Sequence, residues 1–286
     1  MAPRQTMEIH PLSKAAPGVE VTGLDARSLD DATIERLKAA LAEHGVAVLR
    51  GQSLTPASFA ALGRQFGQLE PATREQYWHP EQPEVYVISN VVVNGKLIGN
   101  PTDTLSWHTD QYYLARPTAY TLLYGIETPA EGADTMFAST RRAFDSLPAE
   151  RQARLSEIRV RASHGKLYAG KLTEEQIRNF PDVVHPLVRV HPVTGAKFLY
   201  FANPRGSTVI GMSDEDGLAL LREMFAITTP SEHVYSHKWR PQDLVIWDNR
   251  GMLHTATPYD KERYRRIVHR VSVVGEVPIC ATEAVA

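Results

Sequence analysis

The chain has 286 residues, of which 43% are hydrophobic, and a formal net charge of −2 at pH 7. This length is sufficient for a sizeable buried core, and the charge balance gives no electrostatic footprint for nucleic-acid binding. No apolar stretch approaches the roughly 20 residues of a membrane span, and no run of lysines and arginines indicates a membrane surface. We therefore expect neither nucleic-acid nor membrane partners.

Cys280 is the only cysteine, which excludes internal disulfides and cysteine-based zinc sites. The N-terminal stretch 1–14 has no apolar signal region, so export is not expected and a reducing cytoplasm is the expected location. No linker, internal repeat or low-complexity segment divides the chain. We expect one domain over residues 1–286.

Helices are predicted where apolar residues recur at helical spacing between capping residues. The first, over residues 31–44, places Ile34, Leu37 and Leu41 on one face, with Asp30 or Asp31 as N-cap and Gly45 at its end. The other helical segments are 56–66, 140–158 on both sides of Pro148, and 212–228 with Ser213 as N-cap.

Short apolar runs predict β-strands, which dominate the second half of the chain. Asn94-Gly95 predicts a turn after one of them, and Thr194-Gly195 predicts a hairpin. A mainly β fold with helical insertions, a sandwich or jelly roll, is the expected architecture. The predicted strands are 46–50, 84–93, 119–127, 187–192, 197–201, 243–249 and 264–275.

His108 and Asp110 form an unusual pair in the stretch LSWHTDQYY. On an extended segment the side chains of residues i and i+2 point to the same side, so His108 and Asp110 converge while Thr109 points away. A surface turn or a satisfied polar pair would explain the pattern equally simply. The alternative is two of the three ligands of a metal ion.

His254 is the candidate for the third ligand, because it follows the polar break Asp248-Asn249-Arg250-Gly251 at the start of an apolar segment. A histidine between apolar residues is more often a satisfied core residue. Two histidines and one carboxylate can nevertheless hold Fe(II) and leave positions open for other ligands. Zinc is the alternative metal for the same three groups.

Arg266 and Arg270 lie in the stretch YRRIVHRVSVV, whose alternation predicts a strand with Arg266, Val268 and Arg270 on one face. Two buried arginines need anionic partners, and a guanidinium grips a carboxylate with two parallel hydrogen bonds. Pairing with Asp or Glu on a solvated face is the ordinary explanation. Binding of an organic acid that also chelates the metal is the functional one.

Almost the whole chain resembles the taurine dioxygenase and 2,4-dichlorophenoxyacetate dioxygenase family of Fe(II)- and 2-oxoglutarate-dependent oxygenases. H-x-D alone is unspecific, but several matching blocks in this order are specific. The blocks are WHTD (107–110), GADT (132–135), HPVTG (191–195), WDNRGMLH (247–254) and RRIVHR (265–270), with GVEVTGLD (18–25) and VAVLRGQSLT (46–55) before them.

The resemblance implies a jelly roll of the double-stranded β-helix type, cupin-like, with Fe(II) as cofactor and 2-oxoglutarate and O2 as cosubstrates. It implies that iron is held by His108, Asp110 and His254. It also implies that Trp247 and Asp248 are structural neighbours of the site. An aspartate at position 110 argues against halogenation, because the related halogenating enzymes carry a small residue there.

The resemblance further implies that Thr135 and Arg266 bind the distal carboxylate of 2-oxoglutarate and that Arg270 meets the acidic group of a small, anionic substrate. The implied reaction activates a substrate C–H bond and releases succinate and CO2. Its outcome is hydroxylation, with bond cleavage or desaturation as further possibilities. Family analogy alone implies a homo-oligomer, a dimer or tetramer.

The substrate pocket departs from the taurine enzymes, whose histidine and asparagine ahead of the H-x-D motif are absent here. We place Arg74 or Tyr77 and Thr104 near those positions, and Gly206 near a bulky aromatic of the taurine pocket. The proposed pocket residues are therefore Arg270, Tyr77, Thr104, Tyr112 and Arg205. Tyr112 and Tyr113 are equally explained as core aromatics. A zinc-dependent hydrolase without an evident general base, and a non-catalytic jelly-roll binding protein, are the competing hypotheses for the whole chain.

Overall fold

The computed structural model describes residues 6–70, 72, 74–170 and 172–283, so the first five residues of the stretch considered for export lie outside it. No helix among the described residues is long and apolar enough to cross a membrane. The α-helices of the described residues are, in chain order, α1 (Asp31–His44), α2 (Pro56–Phe66), α3 (Thr140–Asp145), α4 (Ala149–Ser156), α5 (His164–Leu167), α6 (Glu174–Asn179) and α7 (Asp214–Thr228).

Most regular elements of the described chain are β-strands, as expected for a mainly β fold with few helices. They are, in chain order, β1 (Glu8–Pro11), β2 (Val19–Thr22), β3 (Val46–Leu49), β4 (Trp78–His79), β5 (Gln82–Ser89), β6 (Val92–Val93), β7 (Lys96–Leu97), β8 (Thr118–Glu127), β9 (Thr135–Ser139), β10 (Arg159–Ala162), β11 (Val183–Pro186), β12 (Val188–Val190), β13 (Lys197–Leu199), β14 (Ser207–Val209), β15 (Val234–His237), β16 (Leu244–Asp248), β17 (Met252–Ala256), β18 (Ile267–Val274) and β19 (Ile279–Cys280).

The largest sheet has eight strands in the order β1-β2-β3-β16-β8-β18-β5-β4. Its interior strands β3 and β16 are buried along their whole length. Successive side chains of a strand point to opposite faces. In β16, Leu244 and Ile246 accordingly join the core under α1 and α2, whereas Val245 and Trp247 join the core on the other face.

A second layer covers that other face, beginning with the three-stranded sheet β15-β9-β17. Phe137 of β9 meets Trp247 of the large sheet edge-on, with ring centroids 5.4 Å apart. Two further sheets, β13-β12-β19 and β11-β10-β14, pack with α7 around a third cluster of buried apolar residues. Strand β17, which carries His254, therefore faces the large sheet.

The predicted helices are confirmed, with small differences at their ends. Helices α1 and α2 have the predicted bounds, and the Asp30 side chain caps α1 while Gly45 ends it at a φ of 80°. Helix α7 begins at Asp214 because Ser213 is its N-cap. The helical segment around Pro148 is split into α3 and α4, since proline cannot continue a helix.

Several predicted strands are shorter in the structure, and two of these differences bear on the site. The strand expected over residues 84–93 ends at Ser89, and the Asn94-Gly95 turn joins the separate short strands β6 and β7. Strand β18 begins only at Ile267, with a register shift between Ile267 and Val268. The prediction that Arg266 shares a strand face with Arg270 was therefore wrong. The backbone N–H of Arg266 donates to the side chain of Asn90 (2.8 Å).

Candidate active site

His108 and His254 are joined through their backbones. The N–H of His108 donates to the carbonyl of His254 (3.0 Å), and the N–H of His254 donates to the carbonyl of His108 (2.8 Å). This antiparallel bridge attaches the extended segment before residue 110 to β17. As a result the two imidazole centroids lie 4.1 Å apart although the residues are far apart in sequence.

Asp110 completes a cluster of three potential metal ligands. Its Oδ1 lies 3.8 Å from Nε2 of His108, and its Oδ2 lies 3.8 Å from Nε2 of His254. One ligand atom from each of the three residues lies within 4.8 Å of the others. Thr109 turns away, and its hydroxyl donates to the backbone carbonyl of Asn249 (2.8 Å).

The donor set fits Fe(II), because it offers nitrogen and oxygen without sulfur. Nδ1 of His108 lies 2.8 Å from the carbonyl of Ser106. A carbonyl only accepts, so Nδ1 carries the proton and Nε2 keeps its lone pair for a metal. The buried Nδ1 of His254 has no hydrogen-bond partner among the described residues.

The protonation states of the cluster also suit a divalent cation. Burial alone would raise the pKa of Asp110, but His254, Arg270, His108 and the hydrogen bond from Thr121 lower it to about 2. Burial and the neighbouring His108 lower the pKa of His254 to about 3. At neutral pH the carboxylate is charged and the imidazole of His254 is neutral, which are the forms that ligate metals.

Thr121 and Asn249 support the cluster, and neither residue was predicted from the sequence as part of the site. The hydroxyl of Thr121 donates to Oδ2 of Asp110 (2.7 Å). Asn249 contacts Thr121, Trp247 and the backbone of Asp110. Asn249 stands in the block WDNRGMLH, which ends in the predicted ligand His254, and this position was the sequence signal that could have identified it. Thr121 lies within an ordinary apolar run and gave none.

Trp247 and Asp248 are both buried, and Trp247 contacts the cluster directly. The Trp247 ring centroid lies 4.7 Å from that of His254. Asp248 pairs with Arg250 (2.7 Å) and with His191 (3.0 Å). Burial would raise the pKa of Asp248, but Arg250 and His191 outweigh it and hold the pKa well below its usual range.

Arg266 is a buried cation with few partners. Its Nη1 lies 3.6 Å from Oδ1 of Asp103, whose side chain is itself buried, and Lys261 holds the other oxygen of Asp103 at 2.6 Å. Within the described residues its guanidinium makes no hydrogen bond. Burial lowers the pKa of Arg266, against the opposing attraction of Asp103 and Tyr259. The guanidinium therefore has capacity left for another anion.

Thr135 is buried at the start of β9, where it pairs with Ala256 of β17. Its Oγ1 accepts a hydrogen bond from the indole N–H of Trp239 (3.0 Å), so its own hydroxyl proton remains available for an acceptor. No hydrogen bond joins Thr135 to Arg266 in the described structure.

Arg270 lies directly beside the cluster. Its Nη1 is 3.8 Å from Oδ1 of Asp110, and its buried Nε has no hydrogen-bond partner among the described residues. Its guanidinium carbon lies 5.1 Å from the ring centroid of Tyr86, which contacts Tyr77 edge-on at 6.0 Å. Arg270 and Tyr77 are thus linked through one aromatic ring.

Tyr112, Thr104 and Arg205, the other predicted pocket residues, have different surroundings. Tyr112 is buried in a core cluster against Tyr200 and His185, with ring centroids 4.9 and 5.0 Å away. Thr104 is exposed, and its carbonyl accepts from the N–H of Ala256 (3.0 Å). Arg205 is exposed beside the N-terminus of α7.

Arg74, Gly206 and Tyr113 were also considered for the substrate pocket. Arg74 is exposed, next to the short 3₁₀ helix that contains Tyr77. A Cβ at Gly206 would meet Leu167 at 2.9 Å, which leaves no room there for a bulky aromatic. The ring of Tyr113 lies against that of His164 in a tilted arrangement, with ring centroids 4.3 Å apart. Its pKa is raised by burial and responds to the charges of Arg270 and Asp110.

The fold and the site define a class of protein: a mainly β chain with a site for one metal ion made of two histidines and one carboxylate. The chain matches the taurine catabolism dioxygenase TauD, TfdA family over residues 8–272, and it belongs to this family. The match covers the H-x-D segment as well as Arg266 and Arg270.

Three known proteins show the likeness in detail. The alpha-ketoglutarate-dependent 2,4-dichlorophenoxyacetate dioxygenase of Cupriavidus pinatubonensis is 34% identical, over 95% of this chain and 98% of that one. Pentalenolactone F synthase of Streptomyces arenae is 29% identical, over 94% of each chain. The crystal structure of AAD-2 in complex with Mn(II) and N-oxalylglycine has a TM-score of 0.82 and 29% identity, over 96% of this chain and 98% of that one.

These findings establish the reaction class. The chain is an oxidoreductase of the dioxygenase type that uses Fe(II), 2-oxoglutarate (alpha-ketoglutarate) and O2. This family membership does not support the hypotheses of a zinc-dependent hydrolase and of a non-catalytic binding protein.

Proposed function

We propose that His108, Asp110 and His254 hold Fe(II), and that Thr135 and Arg266 bind the distal carboxylate of 2-oxoglutarate. The observation that carries the proposal is the convergence of the three ligand atoms within 4.8 Å. When bound, iron with 2-oxoglutarate and O2 supplies the oxidising chemistry that releases succinate and CO2 and attacks a substrate C–H bond.

The residues of the chain then have separate tasks. Ser106 orients His108, and the buried negative charge of Asp110 attracts the cation. Arg266 supplies an incompletely compensated positive charge, which favours a dianionic cosubstrate. The Thr135 hydroxyl is free to donate to the same carboxylate.

We further propose that the substrate is a small organic anion whose acidic group pairs with Arg270. The support is the partly exposed guanidinium beside Asp110, with its Nε still unpartnered. Tyr86, Tyr77 and Tyr113 supply aromatic surface for the body of such a molecule. The relative from Cupriavidus pinatubonensis is named for an aryloxy acid, which agrees with this chemistry.

An anaerobic visible spectrum with Fe(II) and 2-oxoglutarate tests the assignment. A metal-to-ligand charge-transfer band is expected in the wild type, absent in His108→Ala and weakened in Arg266→Ala. Arg265→Ala is the matched control, because Arg265 is an exposed neighbour paired with Glu127. Bound iron without a band would contradict the cosubstrate assignment.

The same band identifies the substrate class. Phenoxyacetate, taurine and acetate are titrated into the anaerobic complex, and a ligand that enters the site shifts the band. We expect the aryloxy acid to shift it at the lowest concentration and Arg270→Gln to raise that concentration at least tenfold. An equal response to acetate would contradict a contribution of the aromatic rings.

We also propose that the layered sheets form a double-stranded β-helix and that residues 1–286 form one domain. Family analogy supports both proposals, as it supports a dimeric or tetrameric homo-oligomer, which analytical ultracentrifugation would size. A cytoplasmic location is supported by the free thiol of Cys280 and is tested by cell fractionation.

A further inference from the structure

We propose that Asn249 and Thr121 form a relay that orients the Asp110 carboxylate, so that Oδ1 is offered to the metal and Oδ2 is not. Both are positioning residues, since they act through Asp110. The inference rests on the proposed role of Asp110 as a metal ligand. It is carried by a set of hydrogen bonds that permits only one arrangement of protons.

The orientation of the Asn249 amide is determined by its partners. Its Oδ1 accepts from the indole N–H of Trp247 (2.9 Å) and from the backbone N–H of Asp110 (3.2 Å). Both partners are donors only, so a flipped amide would place N–H groups against N–H groups. The Nδ2 of Asn249 must therefore face Thr121, whose Oγ1 lies 2.9 Å away.

The orientation of the Thr121 hydroxyl follows. Asn249 Nδ2 can only donate, so Thr121 Oγ1 accepts from it and has its own single proton left to give. That proton points to Oδ2 of Asp110, 2.7 Å away. Thr121 has no exposed surface, so no solvent molecule competes for this proton.

The relay distinguishes the two oxygens of Asp110. Distance does not separate them, since Oδ1 lies 3.8 Å from Nε2 of His108 and Oδ2 lies 3.8 Å from Nε2 of His254. Hydrogen bonding does: Oδ2 accepts from Thr121, whereas Oδ1 accepts no hydrogen bond within the described residues. A carboxylate held in this way would bind the metal through one oxygen, and Thr121 would keep the second oxygen from taking a further position.

Metal binding by Thr121 variants tests the relay without turnover. Thr121→Val keeps the volume but removes the proton, and Thr121→Ser restores it. With Mn(II) as the probe, we expect Thr121→Val to weaken binding about 10- to 100-fold, the range typical of supporting residues, and Thr121→Ser to stay within about threefold of wild type. Thr228→Val is the matched control, since its buried hydroxyl donates to Met224 in α7.

The electronic spectrum of the Co(II)-loaded protein reports the coordination directly. The bands of Thr121→Val are expected to shift, because Oδ2 becomes free to bind the metal, while those of Thr121→Ser and Thr228→Val stay at the wild-type positions. Spectra of Thr121→Val that are identical to wild type would overturn the relay.

Asn249→Ala tests the role of Asn249, because its effect on Mn(II) affinity can be compared with and without Thr121→Val. Asn249 reaches Asp110 both through Thr121 and directly at the backbone N–H, so the double variant with Thr121→Val should lose less Mn(II) affinity than the sum of the two single losses. Losses that add in full, or wild-type affinity in both single variants while Asp110→Ala abolishes binding, would overturn the relay. Wild-type affinity in Asp110→Ala would instead overturn the metal assignment on which the relay depends.

Discussion

Arg266 and Arg270 show at the scale of single residues how local surroundings determine the role of a side chain. Arg266 is buried with one ion pair at 3.6 Å, and Arg270 contacts the Asp110 carboxylate at 3.8 Å. A buried guanidinium is costly unless it is paired and hydrogen-bonded. Each arginine therefore has capacity left for an anion, which agrees with the two acids of the proposed reaction.

Arg266→Lys keeps the charge but loses the planar pair of donors that matches a carboxylate. We expect the dissociation constant for 2-oxoglutarate to rise about 10- to 100-fold in the Fe(II)-loaded, anaerobic protein, as measured by the charge-transfer band. Arg265→Lys should leave it unchanged. Equal affinities in wild type and Arg266→Lys would exclude a bidentate contact.

Asp103→Asn removes the anion that faces Arg266 in the absence of cosubstrate. Because 2-oxoglutarate would no longer compete with this carboxylate, we expect its affinity to rise roughly fivefold, equal to about 1 kcal/mol. The cosubstrate-free protein should lose about 1–3 kcal/mol of unfolding free energy in urea. Glu262→Gln, at a nearby exposed position, is the control, and a weaker affinity in Asp103→Asn would refute the competition.

At the scale of elements, turns and bridges rather than strand interiors bring the site residues together. The backbone bridge between His108 and His254 attaches an otherwise irregular segment to β17. The turn after β16 presents Asn249 to both Asp110 and Thr121. The end of α1 contacts this region too, because a Cβ on Gly45 would lie 2.3 Å from Sδ of Met252 in β17.

Gly45→Ala is expected to lower the unfolding free energy by about 3 kcal/mol, measured by urea denaturation. About 1 kcal/mol arises from the positive φ of 80°, and the rest from overpacking against Met252. Gly51→Ala is the matched control, because its φ of 61° is also positive but nothing lies within 4 Å of the new Cβ. It should cost about 1 kcal/mol, and equal losses would refute the contact.

At the scale of the whole molecule, the fold buries several histidines in neutral form. His185 is almost fully buried, and its Nε2 donates to the carbonyls of Tyr112 (2.9 Å) and Leu114 (3.1 Å). Burial lowers the pKa of His185 to about 4 despite these hydrogen bonds. Burial and the neighbouring His79 lower the pKa of His269 to about 4 as well.

These lowered pKa values predict that the free energy of unfolding decreases as the pH is lowered from 6.5 to 4. In that range the unfolded chain binds protons at histidines whose ordinary pKa is about 6.5, and the folded chain does not, so each such histidine removes up to about 1.4 kcal/mol per pH unit. Above pH 6.5 both states are unprotonated, and this contribution to stability is fully present.

Urea denaturation of the metal-free protein at pH 7, 6, 5 and 4.5 measures the effect. His185→Asn cannot take up a proton, so its free energy of unfolding should decline less steeply below pH 6.5, whatever its value at pH 7. A decline as steep as that of the wild type would show that His185 does not contribute.

Much of the fold and of the site could be predicted from the sequence. Helices α1, α2 and α7 follow from apolar spacing with Asp30, Gly45 and Ser213 at their ends, because a helix is specified by local contacts. His108 and Asp110 converge because they are two residues apart on an extended segment, which is also local geometry.

Only the tertiary structure decided which distant groups complete the site. Asn249 and Thr121 meet because β16 and β8 are neighbours in the large sheet, and strand order is a non-local property. Arg266 departs from the predicted strand because Asn90, far away in sequence, binds its backbone. The sequence likewise could not tell in which direction the side chains of Tyr112 and Tyr113 point. A turn begins at Asp110, and it ends the alternation of side chains that an extended segment would have. The sequence by itself thus determined the metal-binding residues and the reaction class. The packing of distant strands determined which side chains orient those residues, because only folding brings them within hydrogen-bonding distance.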